Sequence, residues 1–221
     1  MNLHAVALLM AIAATIAIES SIVIAITTCG SFYYFLTRCG PERINGSGIN
    51  QIGNWLTAIR LILILIVIIL MHDFSSFLIF VLFATNVLLD VVDGFAARRL
   101  GQASYFGAVF DQEVDAVFVI CAGLYFYFVS GFALWILIPG ILRSVFRITV
   151  WICKATEFKE KRRPLLASLA GLNFLLLTVA VILPPDAQFG ILGLSTGLFI
   201  VSFSVSFQEV LRTSHDHPLS Q

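Results

Sequence analysis

Long apolar stretches separated by short polar turns make up most of the chain. A helix needs about 20 apolar residues to cross the hydrocarbon core of a bilayer. Seven stretches reach or approach that length: Ala5–Thr28, Asn54–Met71, Phe74–Val92, Phe106–Phe128, Phe132–Ile152, Leu165–Leu183 and Gly190–Val210. The pattern therefore predicts an all-α polytopic membrane protein in which tight turns make consecutive helices antiparallel neighbours.

The first apolar stretch is set apart from the others by a long polar connection. Residues 29–53 are rich in Gly, Asn and Ser, and the aromatic segment around Phe32–Leu36 is typical of a short interfacial helix. No basic region precedes the first stretch, so we interpret it as a retained anchor rather than a signal peptide. The predicted segments are an extra N-terminal transmembrane helix (1–28), a cytoplasmic linker (29–53), a six-helix catalytic membrane domain (54–211) and a cytoplasmic tail (212–221).

The composition agrees with a membrane protein. Of 221 residues only 13 are Lys or Arg and 13 are Asp or Glu, whereas 59% are hydrophobic and the mean hydropathy is +0.98. A charged share of 12% is about half that of a soluble domain. These figures exclude a soluble enzyme, a disordered chain and a nucleic-acid binder with a basic surface.

The placement of the basic residues predicts the orientation, because Lys and Arg concentrate in cytoplasmic loops. With the 93–105 connection in the cytoplasm, the turns at 72–73, 130–131 and 184–188 lie outside and contain no Lys or Arg. The bases of the inner connections and the tail are Arg38, Arg43, Arg98, Arg99, Lys154, Lys159, Lys161, Arg162, Arg163 and Arg212. The other three, Arg60, Arg143 and Arg147, lie toward the inner halves of spans. We therefore expect the N-terminus outside.

Four aspartates lie near the inner ends of two consecutive spans. Asp90 and Asp93 share one helix face because they are three residues apart, and Asp111 and Asp115 share another because they are four apart. The short connection makes the two helices neighbours, so the four carboxylates can converge. Glu113 points away from the shared face, and we interpret it as a surface or supporting residue outside the site.

Converging carboxylates in a poorly hydrated place require a counter-charge. Mg²⁺ and Mn²⁺ prefer carboxylate oxygens, and four ligands on two helices could hold two such ions, as phosphoryl-transfer sites often do. Two other interpretations stay open at this point. The acids could be solvated helix ends, or they could form the ion site of a divalent-cation transporter.

The residues between the acids form a longer motif. From Asp90 to Asp115 the chain reads D-x2-D-G-x2-A-R-x8-G-x3-D-x3-D, which is eight fixed positions over 26 residues. The motif resembles the signature of the CDP-alcohol phosphotransferase (CDP-alcohol phosphatidyltransferase) family without a departure. The six spans after residue 53 also resemble the family's six-helix core, to which the first span is an addition.

The resemblance implies a role for each matching residue. Asp90, Asp93 and Asp111 would be metal ligands, and Asp115 would be the general base and also a metal ligand. The element Asn54-Trp-Leu-Thr57 resembles the family's Asn/Asp-x-x-Thr element, although Gly53 stands where many relatives have Pro. The residues implied to line the CDP site are Asn54, Thr57, Gly94, Ala97, Arg98, Ser104 and Gly107.

The resemblance further implies the reaction. Family members transfer a substituted phosphate from a CDP-linked alcohol to an acceptor hydroxyl and release CMP. We expect CDP-diacylglycerol as the donor, because its acyl chains can stay in the bilayer while CDP reaches water. A homodimer in a prokaryotic inner or cell membrane, with the site facing the cytoplasm, is expected as well.

The acceptor is less defined by the sequence. Arg143 and Arg147 are four residues apart on the fifth span, and two cations in an apolar helix could bind the phosphate of an acceptor or of the donor. That would favour glycerol 3-phosphate or inositol phosphate. Serine, inositol and a choline-like alcohol stay open as acceptors.

Overall fold

The computed structural model describes residues 2–38, 52–100, 105–152 and 164–216, and within them it contains helices and no strand. The all-α prediction is confirmed. The helices are α1 (Asn2–Ile18), α2 (Ser21–Arg38), α3 (Ile52–Leu70), α4 (Ser76–Leu100), α5 (Tyr105–Phe128), α6 (Ile138–Ile152), α7 (Pro164–Ala180) and α8 (Pro185–Asp216), with a short 3-10 helix (Leu134–Leu137) before α6.

Helix α5 is the centre of the bundle. It packs against α3, α6, α7 and the 3-10 helix, and every residue from 116 to 126 is buried. A helix that is apolar on all sides needs neighbours on all sides, and this segment has them. The acids at the start of α5 are therefore held in place by the most enclosed part of the fold.

The outer helices keep apolar faces exposed. On α3 the exposed positions follow a three- and four-residue spacing, whereas Ile64 and Ile68 face the core. The exposed residues of this face are Trp55, Ile59, Ile62, Ile66 and Ile69. By length and composition three described helical segments can cross a membrane: Gly53–Leu70, Ser76–Phe95 and Pro185–Gln208. An apolar outer face of this kind suits lipid and not water.

The N-terminal region differs from the prediction. One continuous helix over Ala5–Thr28 is wrong, because the chain turns at Glu19, whose φ is +53°, and starts a second helix at Ser21. Short polar side chains such as Ser20 favour the position before a helix. Helices α1 and α2 form a hairpin that packs against α6 and α3, and we call α1 and α2 the N-terminal hairpin.

The N-terminal hairpin places the start of α1 close to the acids, at the end opposite to the one predicted. The imidazole Nε2 of His4 lies 3.5 Å from Oε2 of Glu113, which stands between Asp111 and Asp115 on α5. The start of α1 therefore lies at the acidic end of the bundle. The expectation that it lies at the opposite end is wrong, because α2 returns the chain across the bundle.

Several predicted boundaries move as well. Helix α2 runs to Arg38, so the first ten residues of the predicted linker 29–53 are helical, and residues 39–51 lie outside the described residues. Helix α4 continues to Leu100, past the span end predicted at Val92, so Asp90 and Asp93 lie inside a helix and not at its end. Helix α8 continues into the predicted tail, as far as Asp216.

Candidate active site

One face of α3 meets the acids of α4 and α5. Gly53, Thr57 and Arg60 follow one another at intervals of four and three residues, so they share this face. Thr57 and Arg60 are each only 1% exposed. Because α3 packs closely on both α4 and α5, a polar side chain on this face must find its partners among their side chains.

Arg60 lies at the centre of three carboxylates. Its Nη1 atom is 2.8 Å from Oδ1 of Asp90 and 2.5 Å from Oδ1 of Asp111, and its Nη2 atom is 2.6 Å from Oδ1 of Asp115. A planar guanidinium with five N–H donors suits such a cluster. Sequence reasoning assigned Arg60 only to membrane orientation, and the structure places it in the candidate site.

Asn86 holds Arg60 from the other side. Arg60 Nε donates to Asn86 Oδ1 at 3.4 Å, and Asn86 Nδ2 donates to the Arg60 carbonyl oxygen at 2.9 Å. Asn86 is 2% exposed and precedes Asp90 by one helical turn on α4. This reciprocal pair fixes the direction in which the guanidinium points. Asn86 was also missed from the sequence.

Three of the four aspartates come together. One carboxylate oxygen from each of Asp90, Asp111 and Asp115 lies within 4.8 Å of the others. Asp93 is outside this group, since Thr57 Oγ1 donates to its Oδ2 at 2.7 Å. The prediction that all four acids converge on one point is therefore wrong for Asp93 in this structure, because a buried hydroxyl on α3 binds it instead.

Gly53 is the residue that leaves space for Asp93. A Cβ atom built at Gly53 would lie 2.6 Å from Asp93 Oδ1, which is closer than a Cβ atom approaches a non-bonded atom in proteins. The Thr57 hydroxyl also lies 3.1 Å from the Gly53 carbonyl oxygen. The start of α3 therefore touches the Asp93 carboxylate directly, which gives a structural reason for glycine at this position.

The cluster fits a divalent cation in its chemistry. Three ionised carboxylates around one guanidinium leave a formal excess of two negative charges. Hard cations such as Mg²⁺ and Mn²⁺ take carboxylate oxygens as ligands. The side chains of Asp90, Asp111 and Asp115 are 29%, 37% and 18% exposed, so their oxygens can be reached from the surface.

The residues implied to line the nucleotide site fall on the helices around these acids. Asn54 is buried at the start of α3, and Gly94 directly follows Asp93 on α4. Ala97 and Arg98 belong to the last turns of α4, and Gly107 belongs to the first turn of α5. Ser104 lies outside the described residues.

Arg143 and Arg147 both point from α6 to α5. The Nη2 atom of Arg143 donates to the carbonyl oxygen of Gln112, the residue after Asp111. The Nη2 atom of Arg147 lies 2.6 Å from Oε1 of Glu113. Both partners therefore lie on α5, beside Asp111 in the sequence.

Glu113 is not a surface residue. It is 5% exposed, with Arg147 at one carboxylate oxygen and His4 near the other. The direction of its side chain, away from Asp111 and Asp115, agrees with the prediction. Of the two interpretations, a surface residue or a supporting residue, the structure contradicts only the first, because Arg147 of α6 and His4 of the N-terminal hairpin lie against the Glu113 carboxylate.

The comparisons with known proteins identify the family. The model of the CDP-alcohol phosphatidyltransferase family matches residues 50–206, which confirms the resemblance carried by the motif. A segment of 98 residues is 34% identical to a CDP-diacylglycerol–glycerol-3-phosphate 3-phosphatidyltransferase from Wigglesworthia glossinidia brevipalpis. That segment covers 43% of this chain and 53% of the relative, so the match spans about half of the relative's length. No solved structure matches the chain.

Proposed function

The chain belongs to the CDP-alcohol phosphatidyltransferase family, and we propose that it transfers a phosphatidyl group from CDP-diacylglycerol to the hydroxyl of a small polar acceptor. The observation that carries the proposal is the cluster of Asp90, Asp111 and Asp115 around Arg60, built on the family's own motif. An excess of carboxylates at a helix junction suits a cation-assisted phosphoryl transfer.

The apolar exterior supports a lipid-linked donor. The acyl chains of CDP-diacylglycerol can remain against exposed apolar faces such as that of α3, while the CDP group reaches the acids. The name of the bacterial relative contains both CDP-diacylglycerol and glycerol 3-phosphate. We propose that Asn54, Thr57, Gly94, Ala97, Arg98, Ser104 and Gly107 line the nucleotide site.

Metal binding is assigned to the aspartates. Asp90, Asp111 and Asp115 would hold Mg²⁺ or Mn²⁺, and Asp93 would join them on leaving Thr57. Two divalent ions bound there would neutralise the pyrophosphate of the donor and make CMP a better leaving group. Arg60 carries a permanent positive charge, holds one oxygen of each clustered carboxylate, and so keeps the three acids together.

Asp115 is proposed as the general base. The acceptor oxygen forms a bond to the phosphorus of the phosphatidyl group, the bond from that phosphorus to CMP breaks, and the acceptor proton passes to Asp115. The hydrogen bond from Arg60 to Asp115 Oδ1 orients the carboxylate for this transfer. General-base assistance of this kind contributes about 10²–10⁴-fold.

Arg143 and Arg147 are proposed to bind the acceptor phosphate. They lie on α6, across α5 from the α3 residues assigned to CDP, so donor and acceptor would approach the aspartates from different sides. Glycerol 3-phosphate is the first candidate because two arginines favour an anion. Inositol phosphate, serine, inositol and a choline-like alcohol are the alternatives.

The site is further proposed to face the cytoplasm of a prokaryotic inner or cell membrane, in a homodimer. The distribution of Lys and Arg along the chain supports the orientation. The dimer follows from the family resemblance alone.

The decisive experiment follows CMP release. Purified protein is incubated with radiolabelled CDP-diacylglycerol, Mn²⁺ and each acceptor in turn. We expect CMP release with one acceptor, loss of release with EDTA and recovery on adding Mn²⁺ or Mg²⁺. Absence of release with every acceptor, together with Mn²⁺ flux into proteoliposomes, would contradict the proposal and favour a divalent-cation transporter.

A further inference from the structure

A buried polar network joins the N-terminal hairpin to α5 and α6. Its members are His4 on α1, Glu113 on α5 and Arg147 on α6. The matched family region starts at residue 50, so His4 comes from a part of the chain that the family model does not cover. A side chain added to the family core therefore reaches the helix that carries Asp111 and Asp115.

Aromatic packing determines where the His4 ring lies. Phe32 of α2 packs edge-on against it, with the ring centroids 4.8 Å apart. Phe32 also packs edge-on against Phe110, the residue before Asp111, with the centroids 5.8 Å apart. His4 is 4% exposed, and both helices of the hairpin contribute to holding its ring against α5.

The two oxygens of Glu113 are used differently. Oε1 accepts from Arg147 Nη2 at 2.6 Å, whereas Oε2 faces His4 Nε2 at 3.5 Å. A carboxylate left alone with an arginine tends to bind it through both oxygens, in two parallel hydrogen bonds. Here Arg147 binds Oε1, and His4 lies beside Oε2, where a second hydrogen bond from the guanidinium would otherwise form.

We propose that His4 is a positioning residue for the acceptor side of the site, acting through Glu113 on Arg147. The inference rests on the proposed function, since it concerns the acceptor of that reaction. Removing His4 frees Oε2, so that Glu113 binds Arg147 more completely and withdraws it from the acceptor. The donor side, built on α3 and α4, does not share this network.

Two substitutions separate the nitrogen of His4 from its ring. His4→Phe keeps an aromatic ring against Phe32 but has no polar atom, whereas His4→Gln keeps an N–H that can face Glu113. Met10→Ala is the control, because Met10 lies on the same helix and is 69% exposed. Kinetics are measured with CDP-diacylglycerol and, as acceptor probe, glycerol 3-phosphate or the acceptor that the wild type uses.

We expect His4→Phe to raise the acceptor KM about fivefold, the order expected when one charge-assisted hydrogen bond is weakened. The donor KM should stay within about twofold, His4→Gln should restore most of the acceptor KM, and Met10→Ala should match the wild type. A role limited to stability would lower the thermal midpoint without this difference between the two KM values.

A double-mutant cycle tests whether His4 acts through Arg147. In an Arg147→Met background, His4→Phe should change the acceptor KM no further. Equal changes in donor and acceptor KM, no change at all, or additive effects in the cycle would overturn the inference. A wild type that releases no CMP with any acceptor would instead overturn the proposed function, and the inference with it.

Discussion

Helix α5 takes part in two ionic networks that differ in their charge balance. On one side Asp111 and Asp115, with Asp90 of α4, surround the guanidinium of Arg60. On the other side Glu113 meets Arg147, one acid to one base, with His4 beside them. Successive positions two apart point to nearly opposite sides of a helix, so the same turn of α5 serves both networks.

The difference separates two uses of buried charge. A balanced pair compensates its own desolvation and can hold elements together without any ligand. An excess of carboxylates is incompletely compensated within the described residues and gains most from an added cation. We therefore expect substitutions in the acidic network to change the response to metal, and substitutions in the balanced network to leave that response unchanged.

The largest effect is expected for Asp115→Asn. The amide keeps the shape of the side chain but can neither accept the acceptor proton nor contribute negative charge, so CMP release should fall by roughly 10³-fold or more. Binding of CDP-diacylglycerol, measured by equilibrium binding of labelled donor, should survive. Asp186→Asn at the exposed start of α8 is the matched control. An equal loss in both variants would contradict the assignment of Asp115.

Arg60→Met should have the largest effect on stability. Removing one partner of a buried ionic network typically costs about 3–5 kcal/mol, because the remaining charges lose their compensation. In detergent without divalent ions, thermal unfolding of Arg60→Met should occur well below that of the wild type. Added Mn²⁺ should raise the midpoint of the variant more than that of the wild type, since the ion can take the place of the guanidinium charge.

If Mn²⁺ raised the thermal midpoint of Arg60→Met and of the wild type equally, the ion would not be replacing the guanidinium charge. Arg60→Lys is the useful intermediate. This variant keeps the charge but loses the planar set of donors that reaches three carboxylates. Its thermal midpoint should therefore lie between those of the wild type and Arg60→Met.

Glu113→Gln tests the balanced network. The substitution leaves the guanidinium of Arg147 without its ionic partner. Because the Arg147 side chain is only 23% exposed, the free energy of unfolding should fall by about 1–3 kcal/mol. The Mn²⁺-induced shift of the thermal midpoint should equal that of the wild type. A reduced shift would mean that Glu113 belongs with the metal ligands, and the two networks would then have to be treated as one.

The smallest effect is expected for Gly53→Ala. The added Cβ would lie 2.6 Å from Asp93 Oδ1, so the carboxylate must move away from Thr57. Thr57 is proposed to line the nucleotide site, so loss of its hydrogen bond to Asp93 should change the donor KM roughly threefold to tenfold, with little change in the acceptor KM. Gly30→Ala on α2 is the control, since its Cβ would have no neighbour within 4 Å.

Much of the bundle could be predicted because each core helix carries its own signal. Helices α3–α8 correspond one to one with six predicted spans, and the turns between them contain residues such as Pro184 and Gly131 that mark chain reversals. A hydrogen bond from Ser195 Oγ to Asn173 Oδ1, at 3.2 Å, joins α8 to α7.

The hairpin could not be predicted in this way. Residues 5–28 are long and apolar enough for one helix, and neither Gly nor Pro marks the turn at Glu19. The turn depends on the packing of α1 and α2 against α6 and α3, which apolar periodicity alone does not reveal. Length was the misleading signal.

The sequence predicted the acids of the site but not the arginine that binds them. The spacing predicted that Asp111 and Asp115 share a face of α5, but Asp90 reaches them through Arg60 of α3, which packs against both α4 and α5. In the sequence Arg60 was explained by membrane orientation alone. Its position one turn after Thr57, on the same face of an apolar helix, was the available signal, because ionisable residues inside spans are usually functional. Asp93 shows the limit of spacing, since its partner Thr57 lies 36 residues away.

The hairpin has a consequence for how such a membrane domain can be extended. An odd number of added crossings would reverse the core relative to the membrane or move the start of the polypeptide to the other face. The N-terminal hairpin leaves the acidic end and returns to it, so that the ring centroids of His4 and Phe32 are 4.8 Å apart. Such a pair of helices changes neither the orientation of the core nor the face on which the chain starts. An element can thus be placed ahead of the core without altering the orientation that we propose for the core from its Lys and Arg residues.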